Sequence, residues 1–347
     1  MTVALALAHG GSLASAYHGP PALTPMRALT SWAVDPYALV VLAVMGGLYL
    51  IGVRRVRQAG GDWPVGRIVA FCVGGVGLAF VATSSFLSAY WSVLFYVRAF
   101  QTVLLLLGVP LFVMLGRPLS LAIAASSRLG PRIEAVATGR VARAVTFPAV
   151  TALVLVLTPF VLYFSPWFGA GFHSQVVREL TCLVLVLPGL VFFWTLLRID
   201  PVPREYPYLV ALWVTAAEVV GDAALGLSVI ADHTLIAGGY YHALARPWGP
   251  SLASDQVIGG GALWVLGDII GLPFLAAVLI AMIREDESEA KAVDAELDAT
   301  EAAGAARGSE PVAAAEAPAQ PRLWWQDDPR FAGRFAPVDP ESGTPGK

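Results

Sequence analysis

Apolar residues run along this chain in long unbroken blocks, and polar residues gather between them. Seven blocks stand out, at 35–53, 67–90, 92–115, 145–164, 176–197, 207–230 and 258–283. A hydrocarbon layer about 30 Å thick is crossed by about 20 helical residues, so each block is long enough to span one. Backbone amides in lipid need partners within their own segment, which predicts α-helix for every block. Pro110, Pro159, Pro188 and Pro273 fall inside blocks and predict kinks rather than ends. Gly74, Gly75 and Gly77 predict close helix contact, not a cofactor loop. The fold class expected is all-α, a polytopic membrane bundle of seven transmembrane helices over 35–283. An extracytoplasmic segment precedes it at 1–34, and a tail follows at 284–347.

Composition sharpens this picture. Hydrophobic residues make up 57% of the 347 and charged residues 14%, against about 25% charged in soluble domains. So little charge cannot cover a water-soluble surface, so the lipid bilayer is the expected solvent. Charge also sets orientation. Arg54, Arg55, Arg57 and Arg67 flank the first connection. The third holds Arg117, Arg128, Arg132, Arg140 and Arg143, and the fifth Arg198 and Arg204. The intervening connections carry Arg27 and Arg246 alone. The positive-inside rule then places the N-terminus outside and the C-terminus in the cytoplasm, as an odd number of spans requires. MTVALALAHGGSLASA lacks the basic start of a signal peptide and reads as an exported tail drawn through by the first span.

The connection 116–144 sets arginines among small apolar residues. An interfacial amphipathic helix and a solvated loop both fit it. From 284 the chain is acidic and alanine-rich, helical at first and then too polar to order itself. RLWWQDDPRFAGRF at 322–335 interrupts that tail as a docking motif, a headgroup contact or a plain tail segment. No basic stripe with interleaved aromatics points to nucleic acid. No nucleophile elbow, phosphate loop, HExxH or nucleotide fingerprint points to an enzyme.

The candidate chemistry lies on the outer side. All five histidines, His9, His18, His173, His233 and His242, map there. Imidazole suits copper and zinc, so His173, His233 and His242 are candidate metal ligands, with Cys182 of the fifth block beside them. Simple polar loop residues are the alternative. Ionisable residues inside the blocks also cluster outward: Arg98, Arg178, Glu179, Glu218, Asp222 and Asp268. Charges at membrane depth face the bundle interior, paired or lining a wet path. Glu218 and Asp222 share a helix face, and Arg98 is expected to reach at least one of Glu179, Glu218, Asp222 or Asp268. A structural ion-pair cluster and a metal or proton pathway both stand as readings.

Three segments carry a resemblance. RAFQTVLLLLGVPLFVMLGRPLSLA at 98–122, RIDPVP at 198–203 and DQVIGGGALW at 255–264 resemble segments of the polytopic CtaG-type family of cytochrome c oxidase assembly factors. Gln101, Pro110, Gly116 and Pro118 match the first motif, and Asp255, Gln256, Gly259, Gly260 and Trp264 the last. The resemblance implies a seven-helix protein of the bacterial cytoplasmic membrane that helps assemble a haem-copper oxidase. It implies oxidase subunits as partners, and copper handled for the catalytic subunit. Where the family motif has two histidines, this chain has Arg98 and Thr102, so copper would need other ligands. A transporter or channel, with its polar path among Arg98, Glu218, Asp222 and Asp268, is the competing reading. A membrane enzyme using the outward carboxylates and histidines is a third.

Overall fold

The computed structural model describes residues 17–308, and these divide into two units, the first ending at Glu285 and the second beginning at Asp286. The first unit is an all-α polytopic bundle. Among the described residues six helices are long and apolar enough to cross a membrane, and a bent pair, counted as one span, brings the number to seven. In chain order the spans are α1 (Pro36–Gln58), α2 (Val65–Tyr90), α3 (Phe95–Ala124), α4 (Pro148–Tyr163), α5 (Gln175–Leu197), α6 (Tyr208–Ala231) and α7 (Leu252–Gly308). Short helices Pro25–Thr30, Pro166–His173 and Gly238–Leu244 lie in the connections on the N-terminal side.

Local chemistry sets the ends. Asp35 caps α1, its carboxylate accepting the N–H groups of Tyr37 and Ala38 at 2.9 and 3.3 Å, and Pro36 follows at the first helical position. α7 begins six residues before the apolar block that marks it, because Ser251 Oγ accepts the Ser254 N–H at 3.2 Å and starts the helix there. α4 has only 16 residues, about 24 Å of rise, and is shorter than a full crossing. Pro148 opens it, and it meets the preceding helical stretch Gly130–Val145 at 68°. That stretch resolves the arginine-rich connection. It is helical, in two pieces, Gly130–Ala137 and Arg140–Val145, parted at Gly139. Arg128, Arg132, Arg140 and Arg143 are exposed.

Helices in lipid gain no hydrophobic drive from meeting each other, so close backbone approach must supply the packing. α2 carries a wide i→i+5 stretch, Ala70–Gly77. Gly74 and Gly75 face α3 there, where an added Cβ would come within 2.5 Å of Phe112 and 2.7 Å of Val113. The expected close contact is therefore present. At the arginine-rich end Tyr49 of α1 donates to Gly116 O of α3 at 2.7 Å, accepts from Trp63 Nε1 at 3.2 Å and stacks on Phe71 at 3.8 Å. Two of the resemblance motifs meet at the same end. Asp200 of RIDPVP accepts the Leu119 and Ser120 N–H groups at 3.2 and 2.9 Å and the Ser120 hydroxyl at 2.5 Å. It caps, from 80 residues away, the helical turn that follows Gly116-Arg117-Pro118.

Of the second unit, residues 286–308 are described and are helical. Lys291 Nζ meets Glu287 at 2.8 Å. The tail beyond, with 322–335, and the N-terminal segment 1–16 with His9, lie outside the described residues.

Candidate functional site

The motif at the start of α7 builds the end of the bundle opposite the arginine-rich loops. Asp255 is 1% exposed. One carboxylate oxygen accepts the Tyr96 N–H at the start of α3, 3.0 Å away. The other takes Arg246 Nη2 at 3.2 Å, and Arg246, whose side chain is 2% exposed, also lies over the Trp248 ring at 5.1 Å. Gln256 accepts the Ile236 N–H at 2.9 Å. Its amide donates to Val229 O, Asp232 O and Thr234 O at 3.2, 3.1 and 3.1 Å. Two adjacent side chains thus fasten the whole connection 232–251 and the head of α3 to α7. Gly259 and Gly260 let that fastening close. The first abuts Phe95, and a Cβ on the second would lie 2.8 Å from Gly226 O of α6. Trp264 packs on Gly226 just below.

The remaining motif residues also bind helix to helix. Gln101 donates to Ala82 O of α2 at 2.7 Å. Pro110 packs against Gly189 of α5, where a Cβ would sit 2.6 Å from the proline ring.

The expected polar cluster separates into three parts. Arg178 of α5 bonds Asp35 of α1 and lies 3.1 Å from Glu179. Glu218 and Asp222 of α6 face Gly271 and Gly267 of α7, with Asp268 close enough to act on both electrostatically. Both Glu218 oxygens, Asp222 Oδ2 and Asp268 Oδ1 are buried, and the group within hydrogen-bond reach of Glu218 is the Asp222 carboxyl.

Arg98 is the correction. It reaches none of Glu179, Glu218, Asp222 or Asp268 and makes no ion pair among the described residues. Instead, at 4% exposure, its guanidinium sits in an aromatic box, 3.9 Å from the Phe168 ring, 4.9 Å from Phe172 and 5.1 Å from Trp91. The helix Pro166–His173 brings the two phenylalanines into the space a carboxylate would need, and Arg178 engages Glu179. Cation–π attraction holds the charge there, while Nη1 has no hydrogen-bond acceptor.

Asp35, Asp200 and Arg246 hold this architecture together, and the sequence patterns did not mark their partners. For Asp35 a signal existed, because Asp-Pro before an apolar run marks a helix start.

The candidate metal ligands do not converge. His173, His233 and His242 are exposed, and His173 lies edge-on to Tyr240 at 6.0 Å. Cys182 faces the interior between α1 and α5. Among the described residues no three His, Cys, Asp or Glu side chains come together as a metal-holding group. In α3 the Thr102 hydroxyl shares a 3.1 Å hydrogen bond with Tyr163 and donates to Arg98 O at 2.9 Å. A guanidinium and an engaged hydroxyl offer copper neither imidazole nor thiolate, so this donor set does not fit the metal.

On the connection above, Tyr241 is buried, and burial pushes its phenol far above the ordinary tyrosine range. Asp232 is held below the usual carboxylate range by the Thr234 hydroxyl and N–H, at 2.6 and 2.9 Å.

Relatives share most of this chain. Uncharacterized protein ML1998 of Mycobacterium leprae (strain TN) is 29% identical over 292 residues, covering 82% of this chain and 44% of that protein. Uncharacterized protein Mb0105 of Mycobacterium bovis (strain ATCC BAA-935 / AF2122/97) is 27% identical over 290 residues, covering 81% and 44%. The chain spans less than half the length of these curated relatives. No solved structure matches it. Residues 47–285, more than half of the chain, match the family model for the cytochrome c oxidase caa3 assembly factor (Caa3_CtaG). That stretch holds the Asp255–Gln256 fastening, the Asp200 cap and the Gln101 and Pro110 contacts, and the chain belongs to this family.

Proposed function

We propose that this chain is an accessory protein for assembling a haem-copper oxidase in a bacterial cytoplasmic membrane. It acts by presenting its outer face to an oxidase subunit and not by catalysis. The observation that supports this most is how the motif residues are used. Asp255 and Gln256 are too deeply buried to touch a partner, so their work is to hold the connection 232–251 in one shape. That connection carries the helix Gly238–Leu244, whose Tyr240 stacks on Phe172 at 4.0 Å. Around this pair His173 and His242 stay exposed. A rigid, partly aromatic surface held by buried polar clamps is what a docking face requires. Copper is no resident of this reading, since the donors in α3 do not suit it.

The outward placement of that face rests on arginine asymmetry. Most arginines at the opposite end are exposed, whereas Arg246 is neutralised by Asp255 and adds no free charge to its side. Reporter fusions near residues 58, 130 and 203 are expected to read cytoplasmic, and those near 20, 170 and 245 external. An external signal at 130 would reverse the orientation.

Deleting the gene should lower assembled oxidase activity while transcripts of its subunits stay unchanged. The chain with His173→Ala and His242→Ala should complement poorly although it accumulates normally. Protein purified from copper-replete cells should carry no stoichiometric copper. The buried carboxylates Glu218, Asp222 and Asp268 favour a second reading, a transporter or channel with a polar path between α6 and α7. Normal oxidase levels in the deletion strain would put that reading first.

A further inference from the structure

The first and fifth spans are tied at one end and part below it. At the tie Arg178 bonds Asp35 and Glu179. Beneath it the two helices leave a crevice of 380 Å³, walled by Val41 and Met45 of α1 and Leu183 and Leu187 of α5, and floored by Leu105 and Val109 of α3. Nearly every other group lining it is apolar.

Its dimensions select the occupant. The α1 wall runs from Tyr37 to Met45 and the α5 wall from Glu179 to Leu190, lengths of about 12 and 16 Å at 1.5 Å per residue. Half of a 30 Å hydrocarbon layer is about 15 Å. The crevice therefore has the depth of one leaflet. A flexible hydrocarbon chain matches both that depth and the apolar lining.

Charge selects the headgroup. Glu179 and Cys182 line both the crevice and a small polar recess beside it, where Asp35, Gln101 and Arg178 stand. Asp35, Glu179 and Arg178 together leave one net negative charge. Asp35 is nearly closed off, its side chain 3% exposed, whereas that of Glu179 is 29% exposed. The unneutralised charge at the crevice mouth is therefore carboxylate, and Arg178 is already engaged by two acids.

We propose that this crevice is a phospholipid site. One acyl chain lies between α1 and α5 in the leaflet on the Asp35 side, and the headgroup sets a primary ammonium, as in an ethanolamine lipid, on the Glu179 carboxylate. This site is independent of the assembly role and does not require it.

The test uses the full chain, purified in mild detergent, stripped of lipid and offered ethanolamine-headed and glycerol-headed phospholipids with identical acyl chains. Native mass spectrometry reads the bound fraction. The ethanolamine lipid should be retained about fivefold better, the preference that one exposed ion pair gives. Glu179→Gln should remove that preference, and Ala38→Trp, which fills the crevice from α1, should lower retention of both lipids with helicity unchanged. Should Glu179→Gln fail to fold, the headgroup comparison on the natural chain and the Ala38→Trp result still decide. Equal retention of the two headgroups overturns the headgroup assignment. Retention untouched by Ala38→Trp overturns the site, as would a photocrosslinker at Leu183 that captures a protein instead of lipid.

Discussion

Removing the Asp255 carboxylate puts the fastening at the start of α7 to the test. Asp255→Ala removes the acceptor of the Tyr96 N–H, 3.0 Å away, and the counter-charge of Arg246, 3.2 Å away. Both charged side chains are at most 2% exposed, so Arg246 would be left as a buried cation without a partner. Breaking one side of a buried pair costs about 3 to 5 kcal/mol, and an orphaned buried N–H adds about 1 to 3 kcal/mol. Asp255→Asn keeps an acceptor for Tyr96 and loses only the charge, so it should fall between the natural chain and Asp255→Ala. Replacing both partners, Asp255→Ala with Arg246→Leu, removes the stranded cation and should recover part of the loss. The assay is apparent unfolding in detergent by thermal aggregation and by denaturant titration, on the four proteins side by side. The reasoning is refuted if Asp255→Ala melts with the natural chain, or if the double variant is no more stable than Asp255→Ala alone.

Asp200→Ala strips three hydrogen bonds from the turn after Pro118. It should destabilise the arginine-rich end by about 1 to 3 kcal/mol, seen as faster proteolysis of the 116–144 connection, and leave the Asp255 end unchanged. Arg98→Met should hold or raise detergent stability. A desolvated cation–π contact gives about 2 kcal/mol, while a buried charge without an ionic partner costs several kcal/mol, so a marked fall in melting temperature would contradict this balance. Tyr241 should stay protonated as pH rises, because burial lifts its phenol. The stability this contributes is complete below the unfolded tyrosine value of about 10 and is lost as pH climbs above it. An ultraviolet titration showing Tyr241 ionising with the exposed tyrosines of the folded protein would refute it.

Much of the fold was legible in the sequence because a lipid solvent leaves few options. Long apolar blocks had to be helices, and all seven blocks are helical here, the shortest being α4. The motif at 255–264 was legible as a place, since its residues do lie together at the head of α7. What was not legible was partnership. Arg98 has carboxylates within the same apparent layer of the bundle, but layer is not azimuth, and a short helix after α4 brings Phe168 and Phe172 to it. Asp200 and Asp35 each meet their partner across long stretches of chain, 80 residues for Ser120 and 143 for Arg178. No periodicity within one segment encodes such a meeting. The histidines were placed on one side by count alone, and that cannot tell convergence from dispersion. In the structure the three described candidates stay exposed and form no metal group.

The Asp255 fastening also sets an order in time. Its acceptor joins Tyr96 to a residue 159 positions later. At a synthesis rate of 5 to 20 residues per second, those 159 positions take about 8 to 32 s to emerge. Throughout that interval the head of the third span has no carboxylate on its first turn. The Asp255 end of the bundle stays unlatched until the last span arrives, so the connection 232–251 takes its fixed shape only once synthesis has reached the bundle's final helix.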